Sequence, residues 1–276
     1  VKNLFVLAPL VFSKHLLEPW PVAKAAAAFA LFCAVSGVVY IINDLRDVEA
    51  DREHPIKRRR PIASGALPKR SAKIFAGTLA VLAFGGGVAL DLGFVAFLFG
   101  YLGLNLVYTI GLKKIPYLDV GSIATGFLLR VLAGAAVIDV KASIWLMICT
   151  GLLAAFLGFG KRASELSALG VRAAKHRPVL DKYRLSHLKV TLALFGLATL
   201  AAYAAYTISP HTRSFFGTEN LYWTIPFAAF GLLRFGQLLM RRGVDESPTE
   251  TMLKDAPFII NLVVWFVSVV VIIYVL

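Results

Sequence analysis

Runs of apolar residues recur along the chain at close to the length of a membrane crossing, and short charged stretches separate them. A hydrocarbon core of roughly 30 Å needs about 20 apolar residues in helical form. The pattern predicts about nine spanning helices, over 3–13, 21–43, 72–90, 93–112, 118–138, 142–160, 187–208, 220–240 and 256–276. Gly and Ala lie within continuous apolar sequence instead of alternating with polar residues. That favours helices over a membrane barrel, since lipid satisfies no unpaired backbone group. The expected fold class is an all-α membrane protein, a single polytopic domain over 1–276.

Composition agrees: 58% of the 276 residues are hydrophobic and 16% charged, with a mean hydropathy of +0.74, which excludes an ordinary soluble domain. The first apolar segment follows Val1, Lys2 and Asn3 and has no small-residue cleavage site after it, so it reads as a membrane helix and not as a secretory signal. Cys33 and Cys149 each lie inside an apolar run, with no companion at ligand or disulfide spacing, and read as packing residues.

A formal charge of +13 would suit nucleic acid, but the distribution of the charges argues against that partner. Lys and Arg alternate by loop, 22 on one face against 4 on the other. The positive-inside rule then turns the loops at 44–73, 113–114, 161–189 and 241–254 to the cytoplasm. A bacterial cytoplasmic membrane, with charged substrates arriving from the cytoplasm, is the expected setting.

After the second helix the sequence reads Asn43-Asp44-Leu45-Arg46-Asp47-Val48-Glu49-Ala50-Asp51. If the helix continues, Asp44, Asp47 and Asp51 at i, i+3 and i+7 share one face, with Asn43 at i, i+4 to Asp47. Stacked carboxylates repel unless a cation sits among them. Mg2+ suits oxygen ligands and is usually held by one or two carboxylates plus substrate phosphates, which implies a diphosphate. The plainer alternative is a solvated loop whose acids pair with Arg46, Arg52 and the run Lys57-Arg58-Arg59-Arg60, itself a candidate phosphate grip or lipid-headgroup anchor.

The stretch from Asn43 to Gly65, ending Arg60-Pro61-Ile62-Ala63-Ser64-Gly65, resembles the first signature of the UbiA superfamily of intramembrane prenyltransferases, NDxxDxxxD followed by RPxxSG. Tyr108-Thr109-Ile110-Gly111-Leu112-Lys113, Leu118-Asp119-Val120 and Arg130 are similar to its next block. The resemblance implies a UbiA-like helical bundle with active-site loops at the cytoplasmic rim. Asp44, Asp47 and Asp51 are then the metal ligands and catalytic acids, with Asn43 beside them, and Lys57, Arg58, Arg60, Lys113 and Arg130 the substrate-binding cations.

Most superfamily members that use a prenyl diphosphate carry a second aspartate-rich motif after the sixth helix. Here Gly158-Phe159-Gly160-Lys161-Arg162-Ala163-Ser164-Glu165-Leu166 stands in its place, followed by Arg172, Lys175, His176, Arg177 and Tyr183. A basic segment in addition to a metal–carboxylate one suits a substrate with two separate anionic groups, as in phosphoribosyl pyrophosphate. The Gly-Lys-Arg-x-x-Glu-Leu pattern resembles the decaprenyl-phosphate phosphoribosyltransferase branch, which makes an activated pentose lipid for cell-wall arabinan. Lys161, Arg162, Glu165 and Tyr183 become substrate-binding candidates, against an alternative in which the cations anchor a helix end and the tyrosine is packed. Arg130, about 18 Å into its helix, faces either an anionic ligand or a structural partner such as Asp119 or a backbone carbonyl. Arg234 reads as a snorkelling cation.

The partners implied are phosphoribosyl pyrophosphate, a long polyprenyl phosphate and membrane lipid, with Mg2+ as cofactor. A homo-oligomer is compatible with the sequence. Two alternatives stay open: an aromatic prenyltransferase of the same superfamily, and a transporter of an anionic metabolite, for which inverted repeats would be expected.

Overall fold

The computed structural model describes residues 2–53, 57–169, 178–240 and 248–276. It is all-helical. Among the described residues the α-helices are α1 (Ala8–Phe12), continuing a 3-10 segment Lys2–Leu7, α2 (Pro19–Arg46), α3 (Val48–Glu53), α4 (Lys69–Leu90), α5 (Leu92–Ile110), α6 (Leu118–Val137), α7 (Ile144–Leu169), α8 (Leu185–Ile208), α9 (Pro210–Phe216), α10 (Ile225–Met240), α11 (Pro248–Lys254) and α12 (Ala256–Tyr274). Seven of these, α2, α4 to α8 and α12, are long and apolar enough to cross a membrane. Large apolar side chains such as Leu82, Val88, Leu194, Leu197 and Val263 point outward. A surface so apolar belongs in lipid, and the chain is a multi-pass integral membrane protein.

The other two expected crossings are shorter. The segment expected over 3–13 is a 3-10 stretch followed by five α-helical residues. That expected over 220–240 begins as a 3-10 turn, Asn220–Thr224, and leaves 16 residues of α-helix. The larger correction is at α7, which runs on to Leu169 and carries Lys161, Arg162 and Glu165 on helix where a loop was expected.

Local chemistry accounts for the main boundaries. Asp91 is extended, ends α4 and caps α5, its carboxylate accepting the Phe94 N–H at 2.7 Å. Asp255 does the same for α12 through Phe258, with Pro257 in the first turn.

Contacts divide the chain into two compact units, residues 1–111 with 129–142, and residues 112–128 with 143–276. The first is centred on α2, whose Phe32, Val35 and Val39 pack with Ala83 of α4, Phe94, Leu98 and Tyr101 of α5, and Ala133 and Val137 of α6. Gly134 lets α6 press directly onto the Val6 carbonyl, a contact no larger residue could make. In the second unit α7 packs along α8, and α10 along α12. Gly158 and Gly160 are the close-approach points of α7. A Cβ on Gly158 would lie 2.7 Å from Val120, and one on Gly160 2.6 Å from Leu239.

Candidate active site

Asn43 and Asp44 occupy the last turn of α2, and Asp47 closes it, donating its N–H to the Asn43 carbonyl at 2.9 Å. The chain bends there before α3, yet the Asp51 N–H still reaches the Asp47 carbonyl at 2.8 Å, so the helical register survives. Carboxylates at the C-terminal end of a helix face the negative end of its dipole and require a nearby cation. Arg60 supplies it. Its Nη1 donates to Asp44 Oδ1 and to Asp51 Oδ2, each at 2.8 Å. Asp51 is buried at 3% exposure, whereas the Arg60 side chain is 40% exposed.

The turn that presents Arg60 is held by its own backbone. Ser64 N–H bonds to the Arg60 carbonyl at 2.9 Å and Leu67 N–H to the Pro61 carbonyl at 2.8 Å. Arg52 Nε donates to the Ala63 carbonyl at 3.2 Å. Gly65 has φ +84° with open space around its Cα, so the backbone and not crowding demands glycine. Glu49 accepts from Lys69 and Arg52, which lowers its pKa, the Lys69 hydrogen bond most of all. Lys57 and Arg58 are exposed on the preceding 3-10 turn. Asn43 is oriented by Thr109 of α5, whose hydroxyl donates to Asn43 Oδ1 at 2.7 Å. Thr109 lies in the block Tyr108–Lys113, but its bond to Asn43, 66 positions away, has no local sequence signal.

Among the described residues no group of three or more acidic, histidine or cysteine side chains is placed to hold a metal ion, so the expected set of Asp44, Asp47 and Asp51 does not converge as a three-carboxylate site; Asp44 and Asp51 are brought together through Arg60. Mg2+ seldom requires a full protein cage. Two carboxylate oxygens, Asp44 Oδ1 and Asp51 Oδ2, converge on a single cationic nitrogen, and such a pair suits a hard cation completed by phosphate oxygens.

The second unit has a different cluster. Asp119, in the first turn of α6, is wholly buried. It accepts from Arg162 Nε at 2.6 Å and from the Tyr183 hydroxyl at 2.7 Å. Arg162 Nη1 also reaches Glu165 at 2.8 Å, and Lys161 Nζ lies 4.0 Å from the other Glu165 oxygen. The expected pairing of Lys161 with Arg162 as one anion grip therefore divides. Adjacent helical residues point about 100° apart; Lys161 is 43% exposed while Arg162 is 1% exposed and engaged by two acids.

Tyr183 carries a further bond, accepting the Tyr117 N–H at 2.6 Å. Tyr117 has φ +66° and is the centre of a γ-turn closed by Leu118 N–H to the Pro116 carbonyl at 2.8 Å. Such a turn is rare and strained for a residue with a Cβ. Burial pushes the Tyr183 hydroxyl well above the ordinary tyrosine value, and its bond to Asp119 adds to this. It is a packed, bonded tyrosine, the alternative weighed against substrate contact.

Arg130 is buried in the first unit. Its guanidinium donates to Asn3 Oδ1 and to the Tyr101 hydroxyl, both at 2.9 Å, and lies over the rings of Phe32 and Tyr101. Asp119, the acid considered for it, is taken by Arg162 and Tyr183. Arg234 does not snorkel: Nε and Nη2 grip both oxygens of Asp255, at 3.0 and 2.8 Å. Lys113 sits half-buried in the 3-10 turn after α5. Arg172, Lys175, His176 and Arg177 lie outside the described residues.

A long helical bundle in lipid with an Asn-Asp-rich helix end and a basic return turn belongs to a known class. The UbiA prenyltransferase family matches over residues 4–162, and the chain belongs to that family. Among individual proteins, it is 33% identical to a decaprenyl-phosphate phosphoribosyltransferase of Mycolicibacterium smegmatis, over 96% of this chain and 86% of the relative. It is 32% identical to the Corynebacterium glutamicum protein of the same name, over 100% of this chain and 84% of the relative. The fold is that of a UbiA homologue from Archaeoglobus fulgidus solved bound to GPP and Mg2+, with a TM-score of 0.68 at 18% identity and full coverage of both chains.

Proposed function

We propose that this UbiA-family transferase moves a 5-phosphoribosyl group from phosphoribosyl pyrophosphate to a long polyprenyl phosphate, releasing pyrophosphate, in the synthesis of a cell-wall arabinan precursor. The observation that carries this reading is the near-full-length likeness to two decaprenyl-phosphate phosphoribosyltransferases. Replacement of a second aspartate motif by Lys161, Arg162 and Glu165 supports it.

In this reading Asp44 and Asp51, with Asp47 and Asn43, hold Mg2+ and through it the pyrophosphate. The ion, when bound, neutralises charge that develops on the departing diphosphate. Thr109 keeps the Asn43 carboxamide oriented, Lys57 and Arg58 draw anions to the rim, and Lys161 takes a sugar-phosphate charge. Arg162 acts through Glu165 and Asp119 rather than on substrate. The bond from the anomeric carbon to pyrophosphate breaks as one forms to a lipid phosphate oxygen, with inversion. That oxygen is already anionic at neutral pH, so no strong general base is needed. The basic loops face the cytoplasm.

The test is a donor–acceptor assay on the full chain in lipid. Phosphoribosyl pyrophosphate, Mg2+ and a long polyprenyl phosphate should yield pyrophosphate and lipid-linked phosphoribose. Prenylation of an aromatic acid by a prenyl diphosphate, without phosphoribosyl transfer, would replace this assignment with the aromatic one.

A further inference from the structure

We infer that Arg60 is a built-in counter-ion that holds the first cluster together before metal loading and is exchanged for Mg2+, its guanidinium then moving to the diphosphate. This rests on the reading that Asp44 and Asp51 bind Mg2+. Four observations carry it. One nitrogen, Nη1, serves two acids from two different helices at equal distance, which is the position a bridging cation occupies. Nε and Nη2 make no hydrogen bond among the described residues, so donors of the guanidinium fork are left to take phosphate oxygens.

The backbone of the turn is closed by Ser64, Leu67 and Arg52 without help from the Arg60 side chain, so the guanidinium can swing while the turn stays folded. Finally, Arg60 and Asp44 both remain in contact with water, where an ion pair is weak enough to be replaced by a divalent cation, while Asp51 is buried and needs a cation in either state. Arg60 neutralises the repulsion between the two acids until a divalent ion takes its place, and the metal binds in competition with it. Metal entry and the delivery of a free guanidinium to the donor become a single event.

Binding of Mn2+ as the probe, followed by its EPR signal on the full chain in lipid nanodiscs without donor, tests the exchange. Arg60→Gln should bind Mn2+ about five- to tenfold more tightly than wild type, because the competing cation is gone. Equal or weaker binding would overturn the inference. A second arm needs no substitution: phenylglyoxal modification of the wild-type chain, mapped by mass spectrometry, with Arg58 and Arg59 as internal references. Mg2+ should raise modification of Arg60 several-fold relative to both, and an unchanged ratio would sink the exchange even if Arg60→Gln binds metal more tightly. Asp51→Asn separates the two layers of argument. If it leaves Mn2+ binding unaltered, the metal reading fails; if it weakens binding while both Arg60 arms are flat, only the exchange fails.

Discussion

The two ionic clusters solve opposite problems. In the first unit one guanidinium serves two acids and stays in contact with water; in the second one acid serves a guanidinium and a phenol and is sealed from it. The Arg60–Asp44 pair, partly exposed on both sides, contributes about 0–1 kcal/mol and can be rearranged, whereas Asp51 is buried and keeps a cation beside it. A sealed pair contributes little net stability, yet removing one partner strands a buried charge and costs about 3–5 kcal/mol. The first cluster is thus built to change partners and the second to stay fixed. The second uses its rigidity to hold Tyr117 in a strained turn, where the lost energy of an unfavourable φ, about 1–3 kcal/mol, is offset by the Tyr183 bond.

The contrast can be broken most forcefully at Arg162. Arg162→Met should destabilise the protein by about 3–5 kcal/mol, read as loss of monodisperse protein and faster thermal inactivation. Adding Asp119→Leu should recover much of that loss, since the wholly buried charge is then gone and Glu165, a quarter exposed, keeps Lys161 beside it. At the open cluster the sign of the trade reverses. Asp44→Asn should cost about a hundredfold or more in turnover, with thermal stability close to wild type, and EDTA should act on the wild type in the same way. A variant that kept wild-type rates across a Mg2+ titration would remove Asp44 from the metal site.

Smaller effects sharpen the comparison. Lys161→Ala should raise KM for the phosphoribosyl donor about tenfold, as for a charge-assisted contact of about 1.5 kcal/mol, with little change for the lipid; an unchanged KM would make Lys161 an anchor. Tyr183→Phe should lower stability by about 1–2 kcal/mol and loosen the Tyr117 turn, visible as faster proteolysis near 117. Because folding raises the Tyr183 pKa above its ordinary value of 10.0, the stability it adds is present in full below about pH 10 and is lost as pH rises above that. Stability curves of wild type and Tyr183→Phe should therefore converge at high pH. The least effect belongs to Glu49→Gln, whose water-exposed pairs with Arg52 and Lys69 should leave turnover and thermal inactivation unaltered.

Much of this was legible in the sequence, for physical reasons that differ by element. The long apolar runs declared α2, α4 to α8 and α12, because lipid imposes both length and composition. The i, i+3, i+7 register brought Asp44 and Asp51 together even though α2 bends at Asp47. What could not be read were closures between distant residues. That Arg60, out of four consecutive cations, bridges the acids depends on the turn around Gly65. That Lys161 and Arg162 separate depends on α7 continuing past the apolar run, and the γ-turn at Tyr117 has no local signature beyond the preceding proline.

One contact bears on how the protein is made. Asn3 is bonded to Arg130, 127 positions later, and the Val6 carbonyl is seated on Gly134. Cys33, Ser36 and Tyr101, the other members of that polar knot, all leave the ribosome before α6. Residues 2–12 can dock on α2 through the bonds of Asn3 to Cys33 and Ser36 as soon as α2 is present, but the bond to Arg130 and the close approach to Gly134 wait for α6. A chain arrested before Arg130 would therefore hold residues 2–12 on α2 without the two contacts that lock them to α6.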